Sequence, residues 1–188
     1  MTPEDVLTLL LSKLDECAIP YMIAGSFASN MHGVPRSTQD ADVVIDTDQA
    51  SLERFLESLG PDFYKSEEAA KEALLRQQIF NVIHLGTGFK IDLIVRKSRP
   101  FSKTEFSRRQ SAPYLGTTRW FATVEDTILV KLEWSKQSES ERQFSDALNV
   151  AEVQRQRLDR VYLRKWAAEL GISDLLDRLF HEIDREDA

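Results

Sequence analysis

The spacing of apolar residues changes at Phe121, and this change limits the folds open to the chain. Before Phe121, short apolar runs alternate with segments of helical spacing, whereas from Thr123 onward the pattern is helical. A chain of this kind forms a sheet with helices first and a helical extension after it. We therefore predict an α+β protein with two parts. The first is a domain over residues 1–121, which we expect to carry any catalytic site, and the second is a C-terminal helical region over residues 122–188.

The apolar runs of the first part are typical of strands. We predict strands over residues 21–24, 41–45, 78–85 and 89–95, with an edge strand over residues 118–121. Gly86-Thr87-Gly88 joins two of these runs and predicts a hairpin turn. This Gly-x-Gly lacks the third glycine and the following helix of a dinucleotide-binding fingerprint, so it is interpreted as a turn alone.

Small polar residues predict where the helices begin. The predicted N-caps are Thr2, Asp48, Ser66, Thr123, Ser138 and Ser173. Residues 27–31 predict a further short helix, and Gly171 ends the one over residues 158–170. The three tryptophans, at positions 120, 134 and 166, are predicted to be core or helix-packing residues.

Charge and composition exclude several classes of protein. The chain has 188 residues, a net charge of −7 and one cysteine, Cys17, which rules out an internal disulfide and a cysteine-rich zinc cluster. No apolar stretch approaches the roughly 20 residues that span a bilayer, and the acidic N-terminus does not resemble a secretory signal. We expect a cytoplasmic protein that does not bind nucleic acid indiscriminately.

One segment departs from this acidic balance. Residues 96–109 carry six basic side chains against a single acid, Glu105. The segment is either an ordinary solvated surface or a binding surface for a polyanionic substrate.

Two aspartates precede the apolar run of residues 41–45. Asp40 and Asp42 are two positions apart, so on a strand they point to the same side, about 6.5 Å apart at Cα. Carboxylates so close repel one another unless a cation lies between them, which makes the pair a candidate site for Mg²⁺. The alternative is an exposed turn.

Two further features accompany the pair. Gly25-Ser26 stands where a strand passes into a helix, a place suited to phosphate, although Ser26 would also serve as an ordinary N-cap. Asp92 is a lone acid in an apolar strand and would complete a carboxylate triad if its strand lies beside that of Asp42. Otherwise it is an outward-facing acid on an edge strand.

Together these residues resemble the signature of the DNA polymerase β-type nucleotidyltransferase superfamily. Gly25-Ser26, thirteen residues, then Asp40-Ala41-Asp42-Val43 match its first part, and Ile91-Asp92-Leu93 matches the later strand with the third acid. The fuller run of residues 24–42 is similar to the minimal nucleotidyltransferases, including the AbiE-like nucleotidyltransferase toxins. Ala41 is small for its hydrophobic position. The resemblance implies a mixed sheet flanked by helices, followed by a helical region.

The resemblance also implies a mechanism. Two Mg²⁺ ions would organise attack on the α-phosphate of a nucleoside triphosphate, with Asp40 and Asp42 binding both ions. Asp92 would bind the catalytic ion and help to deprotonate the acceptor hydroxyl. Gly25 and Ser26 would hold the β- and γ-phosphates.

Basic residues near the motif are further candidates for nucleotide binding. Arg36 and Lys131 could approach the phosphates; the alternatives are an exposed loop arginine and a lysine that reaches out to solvent. Asp146 matches a further polar family position or pairs with Lys131 or Arg142 for structural reasons. His32 could steady the loop and is given no chemistry.

The sequence therefore favours an enzyme that moves a nucleotide from an NTP to a hydroxyl. The acceptor is an RNA such as tRNA in a toxin–antitoxin setting, with an antitoxin as partner, or else an aminoglycoside or a protein side chain. A non-catalytic nucleotide-binding or partner-binding module on the same fold is the alternative. A nuclease or phosphohydrolase is a third reading, which the Gly25-Ser26 element disfavours.

Overall fold

The computed structural model describes residues 1–185, and residues 186–188, the end of the predicted helical region, lie outside it. The chain forms two compact units, one from residues 1–24 and 38–121 and the other from residues 25–37 and 122 onward. The predicted α+β class is confirmed. The short segment of residues 25–37 groups with the helices, which no composition change indicates. The assignment of residues 1–121 as a catalytic domain stays a prediction.

The first unit is built on a seven-stranded mixed sheet with the order β3-β4-β5-β2-β1-β7-β6. The strands are β1 (Tyr21–Ile23), β2 (Asp40–Ile45), β3 (Phe63–Lys65), β4 (Ile79–His84), β5 (Lys90–Val95), β6 (Gln110–Tyr114) and β7 (Thr117–Phe121). Neighbours β2 and β5 are parallel, as are β1 and β7, and the other pairs are antiparallel. The hairpin predicted around Gly86-Thr87-Gly88 joins β4 to β5 and is confirmed.

The helices follow the predicted caps closely. They are α1 (Pro3–Glu16), α2 (Gly25–His32), α3 (Gln49–Ser58), α4 (Glu67–Arg76), α5 (Pro100–Arg108), α6 (Val124–Ser138), α7 (Glu141–Gln154), α8 (Arg160–Leu170) and α9 (Ser173–Arg185). Thr2 and Asp5 form a reciprocal capping box at α1, with the Asp5 carboxylate accepting from the Thr2 amide at 2.8 Å. No helix within residues 1–185 is both long and apolar enough to cross a membrane.

Strand alternation gives the sheet of the first unit two different faces. Ala41, Val43 and Ile45 of β2 are buried on one side, which we call the apolar face. Asp40 and Asp42 lie on the other side and are partly exposed; we call this the carboxylate face. The same alternation in β5 places Lys90 and Asp92 on the carboxylate face, because β2 and β5 pair residue for residue.

Four sequence predictions about the elements are wrong. One is the N-cap at Ser173, which is instead the first residue of α9. Residues 118–121 were expected at an edge, but β7 lies inside the sheet and β6 is the edge strand. Ser140 rather than Ser138 caps α7, because α6 continues to Ser138 and closes with Glu139 in the left-handed region. Trp120 and Trp134 are not core residues, being 41% and 46% exposed, whereas Trp166 is buried.

The second unit is a set of packed helices. Its first segment supplies α2, which packs against α6 and α7, and α8 and α9 pack against each other and against α6. The backbone at Gly33 lies so close to α7 that a side chain would be crowded, because a Cβ there would lie 3.1 Å from Val150. The chain thus supplies one helix of this unit early and the rest about ninety residues later.

Candidate active site

The three predicted acids occupy one end of two neighbouring strands. Asp42 of β2 pairs with Asp92 of β5, and Asp40 pairs with Lys90. Parallel neighbours lie about 4.8 Å apart, and residues in register point to the same side of the sheet. The conditional prediction that the Asp92 strand lies beside the Asp42 strand is therefore confirmed, and all three acids share the carboxylate face.

Lys90 lies among these carboxylates. Its ammonium nitrogen is 2.8 Å from Asp92 Oδ2 and 3.7 Å from Asp40 Oδ2. The hydrogen bond to Asp92 raises the pKa of Lys90, helped by the charges of the three acids and opposed by partial burial. Lys90 was not assigned a role from the sequence. Its position two residues before Asp92, on the same side of the strand, is the signal that could have identified it.

The ligand chemistry at this place suits a hard cation. Three carboxylates on one face offer the oxygen ligands that Mg²⁺ prefers, and a positive group, the Lys90 ammonium, already sits between two of them. With the side chains placed as they are, however, no group of three acids, histidines or cysteines within residues 1–185 could hold a metal ion. Asp40, Asp42 and Asp92 as metal ligands stay a prediction, which requires Lys90 to move aside.

A depression of about 500 Å³ opens beside Asp40 in the same unit. Its lining includes Thr38, Gln39, Asp40, Thr87, Gly88 and Lys90. The Thr38 hydroxyl donates to Asp40 Oδ1 at 3.2 Å and so helps to fix this carboxylate. The depression gives a small ligand access to Asp40 and Lys90.

The predicted phosphate-binding segment lies in the second unit. Gly25 adopts a left-handed φ of 55° and begins α2 directly, so Ser26 lies in the first turn and is not the N-cap. The Ser26 hydroxyl accepts a hydrogen bond from Arg36 Nη2 at 3.1 Å. Gly25 and Ser26 therefore stand at the strand-to-helix junction that the sequence predicts.

Arg36, Lys131 and Asp146 form an ion cluster in the second unit. Arg36 donates to both oxygens of Asp146, at 3.0 Å and 2.7 Å, and Lys131 donates to Oδ2 at 2.9 Å. Burial acts to raise the pKa of Asp146, but the hydrogen bonds and charges of the two cations outweigh it and hold the pKa below its usual range. Asp146 thus pairs with Lys131, which is one of the alternatives that the sequence leaves open.

Lys131 does not reach out to solvent, which was the alternative from the sequence. The residue is 4% exposed, and its ammonium is held by Asp146 inside the helical unit. Two cations therefore share one carboxylate, and one of them, Arg36, also donates to the Ser26 hydroxyl in the first turn of α2.

His32 steadies the segment after α2. The His32 Nε2 lies 2.7 Å from the carbonyl oxygen of Ala122. The Gln154 side-chain amide donates to the backbone carbonyl of His32 at 2.8 Å. Burial lowers the pKa of His32, although the Ala122 carbonyl and Glu125 favour the charged form. The expected supporting role fits these bonds.

No protein-family model and no curated protein sequence matches the chain, but solved structures do. An antigenic nucleotidyltransferase-like protein from Paracoccidioides brasiliensis superposes with a TM-score of 0.60 at 19% identity, over 94% of this chain and 91% of that one. The fold is nucleotidyltransferase-like.

A second similar structure is the antibiotic-resistance factor ANT(2'')-Ia. Its solution structure gives a TM-score of 0.57 at 12% identity, covering 98% of this chain and 96% of that one. Its crystal structure with adenylyl-2''-tobramycin gives a TM-score of 0.53 at 14% identity, with both chains fully covered. Identities this low establish the shared fold, and the chemistry of this chain has to be argued from its own residues.

Proposed function

We propose that this chain is a metal-dependent nucleotidyltransferase that moves a nucleotide from an NTP to a hydroxyl. The proposed acceptor is an RNA such as tRNA, in a toxin–antitoxin setting with an antitoxin as partner. One observation carries the enzymatic proposal: Asp42 and Asp92 are in register on neighbouring strands, with Asp40 on the same face, in a nucleotidyltransferase-like fold.

The three acids have distinct proposed roles. Asp40 and Asp42 would hold two Mg²⁺ ions, and Asp92 would hold one of them and accept the proton of the acceptor hydroxyl as pyrophosphate leaves. When bound, paired metal ions stabilise the attacking and leaving oxygens of such a displacement. Lys90 must release Asp92 for this role, since its ammonium now holds Oδ2 at 2.8 Å.

The proposed nucleotide-binding residues are Gly25, Ser26, Arg36 and Lys131. The backbone at Gly25 and the first turn of α2 offer amide donors to phosphate oxygens. Arg36 and Lys131 supply positive charge, and Asp146 fixes both cations at hydrogen-bond distance. Such fixed charge favours a polyphosphate without reorganisation at the moment of binding.

The test is transfer of label from each α-labelled NTP, with Mg²⁺, to total RNA or to an aminoglycoside such as tobramycin. We expect labelled product with wild-type protein, none with EDTA, and a loss of about 100-fold or more with Asp42→Asn. Asp46→Asn is the matched control, because Asp46 follows the same strand at its other end and pairs with Arg96. Product that persists unchanged in Asp42→Asn would show the assignment to be wrong.

A non-catalytic nucleotide-binding module is the second candidate. The position of Lys90 favours it, since the ammonium already neutralises Asp92 and reaches towards Asp40. Calorimetric titration with Mg²⁺-ATP separates the two when it is paired with the transfer assay. Binding without product on any acceptor supports the module. Rapid breakdown of RNA without NTP would instead indicate the nuclease reading.

A further inference from the structure

Trp120 is an exposed aromatic residue on the same face of the sheet as the candidate catalytic acids. Ile23 of β1 is in register with both Val43 of β2 and Phe121 of β7. These three side chains therefore belong to the apolar face. Trp120, one residue before Phe121, points to the opposite side, which is the carboxylate face, and it is 41% exposed.

The strand register places Trp120 close to the acids. Carrying the β1–β7 pairing back by one residue brings Trp120 level with Met22, which pairs with Val44. Asp42 lies two residues further along β2. Two strand spacings across and two residues along correspond to about 12 Å between the Cα atoms of Trp120 and Asp42.

Arg109 holds the Trp120 ring in place. Its guanidinium lies 5.1 Å from the centre of the Trp120 ring and 4.3 Å from that of Phe106. Arg109 Nη1 also donates to the Phe106 carbonyl at 2.7 Å. A cation and an aromatic ring are thus stacked together at a surface, an arrangement that adds positive charge to a flat apolar platform.

The segment that ends at Arg109 is the basic run of residues 96–109. Its one acid, Glu105, is 7% exposed, whereas Lys97 and Lys103 are exposed. The run is positive in a chain whose net charge is −7. The run is therefore a local basic segment of an acidic chain, and Arg109 at its end contacts Trp120.

We propose that this surface, formed by Trp120 and Arg109 at the end of the basic run, docks single-stranded RNA as the acceptor. Unpaired bases stack on exposed aromatic rings, which a duplex with its bases already stacked does not allow. The cations match the phosphates of the strand, and the ribose hydroxyls suit the hydroxyl acceptor of the transfer reaction. The assignment of RNA as the acceptor rests on the proposed function, whereas RNA binding to this surface can be measured without the transfer reaction.

The experiment is fluorescence anisotropy with a labelled 12-nucleotide oligo(U), with EDTA present and NTP absent. We expect Trp120→Ala to weaken binding by about fivefold or more, and Trp120→Phe to retain most of it because a ring remains. Trp134→Ala is the matched control, since Trp134 is 46% exposed on α6. Lys103→Ala should reduce the salt dependence of binding by about 0.7 in log–log slope. Lys71→Ala, which removes a half-buried lysine of α4 paired with Glu53, should not change it.

The outcomes separate this inference from the proposed function. Binding that depends on Trp120, without label transfer to RNA, supports the surface and overturns RNA as the acceptor of the transfer. Label transfer to RNA with binding unchanged in Trp120→Ala overturns the surface. Equal binding of double-stranded RNA, or Trp120-dependent binding to anionic vesicles of phosphatidylserine without RNA binding, also overturns it. Single-stranded DNA that binds better than RNA contradicts RNA as the occupant.

Discussion

At the scale of single residues, Lys131 and Asp146 show how a polar pair is kept inside a helical core. Both side chains are almost completely buried, so each carries a desolvation cost that its ionic partners offset. Arg36 adds a second cation from a more exposed position. The pair is thus a structural necessity, whatever ligand the cations also attract.

Removing one partner of this pair should destabilise the protein. We expect Asp146→Ala to lower the free energy of unfolding by about 3–5 kcal/mol, because it leaves the Lys131 ammonium buried without its carboxylate. Denaturant unfolding followed by circular dichroism measures this. Asp177→Ala is the control: its ion pair with Arg164 is exposed on both sides, and its loss should cost roughly 0–1 kcal/mol. Equal losses in the two variants would contradict the argument.

His32 predicts a dependence of stability on pH. Because burial lowers its pKa in the folded protein, the unfolded chain binds the proton more readily below the ordinary histidine pKa of about 6.5. The contribution of His32 to stability is therefore complete above that pKa and falls as the pH drops towards the folded value. Wild type and His32→Gln should differ in the slope of unfolding free energy between pH 7 and pH 5. Identical slopes would show that the pKa of His32 does not differ between the folded and the unfolded chain.

The sequence identified the acids of the candidate site better than their surroundings. Asp40, Asp42 and Asp92 stand out because an acid in or beside an apolar strand is conspicuous, and alternation fixes which face it takes. A role for Lys90 was not predicted, because a lysine is common at the start of a strand after a turn. Its contacts arise from the pairing of β2 with β5, which joins residues about fifty positions apart.

At the scale of elements, helix ends were predictable where a side chain makes the cap. Thr2, Asp48, Ser66 and Thr123 each accept from an amide in the first turn of their helix. The error at Ser138 arose because Ser138 and Ser140 are equally good caps, and the end of α6 decides between them. Strands β3 and β6 were missed because three residues, or a run as polar as that of β6, show no usable alternation.

Glu139 offers a test of how α6 ends. It closes the helix with a φ of 51°, a conformation that costs free energy for any residue with a Cβ. We expect Glu139→Gly to raise the free energy of unfolding by about 0.5–1 kcal/mol. Glu139→Ala serves as the matched control, since alanine keeps the Cβ and should give no such gain. If both variants gain equally, relief of backbone strain is not the cause.

At the scale of the whole molecule, the change in apolar spacing at Phe121 was enough to predict the fold class. It predicted a sheet with helices followed by a helical region, because apolar periodicity differs between strands and helices; the mixed sheet was implied by the family resemblance. Periodicity could not show that residues 25–37 group with the helices. That grouping depends on the packing of α2 against α6 and α7, and such long-range contacts leave no local pattern.

Ligand binding should stabilise the whole protein if the proposed function is right. Saturating Mg²⁺-ATP raises the free energy of unfolding by about 2.7 kcal/mol at one hundred times Kd, which corresponds to a rise in Tm of roughly 5–10 °C for a chain of this size. Differential scanning fluorimetry measures it. In Asp42→Asn the Mg²⁺-dependent part of the rise should disappear, with ATP in EDTA as the baseline. A Mg²⁺-dependent rise of equal size in the variant would exclude Asp42 as a ligand.

The discontinuous second unit also sets an order of events during synthesis. Residues 25–37 emerge from the ribosome long before the helices that they pack against, since residues 38–121 lie between. At 5–20 residues per second, α2 waits roughly 4–17 s for α6 to appear. Throughout that interval the buried side of α2, with Phe27 and Ala28, lacks its packing partners α6 and α7. A nascent chain halted at Phe121 would therefore carry a completed sheet and an orphan helix, and the Gly25-Ser26 segment would acquire its surroundings last.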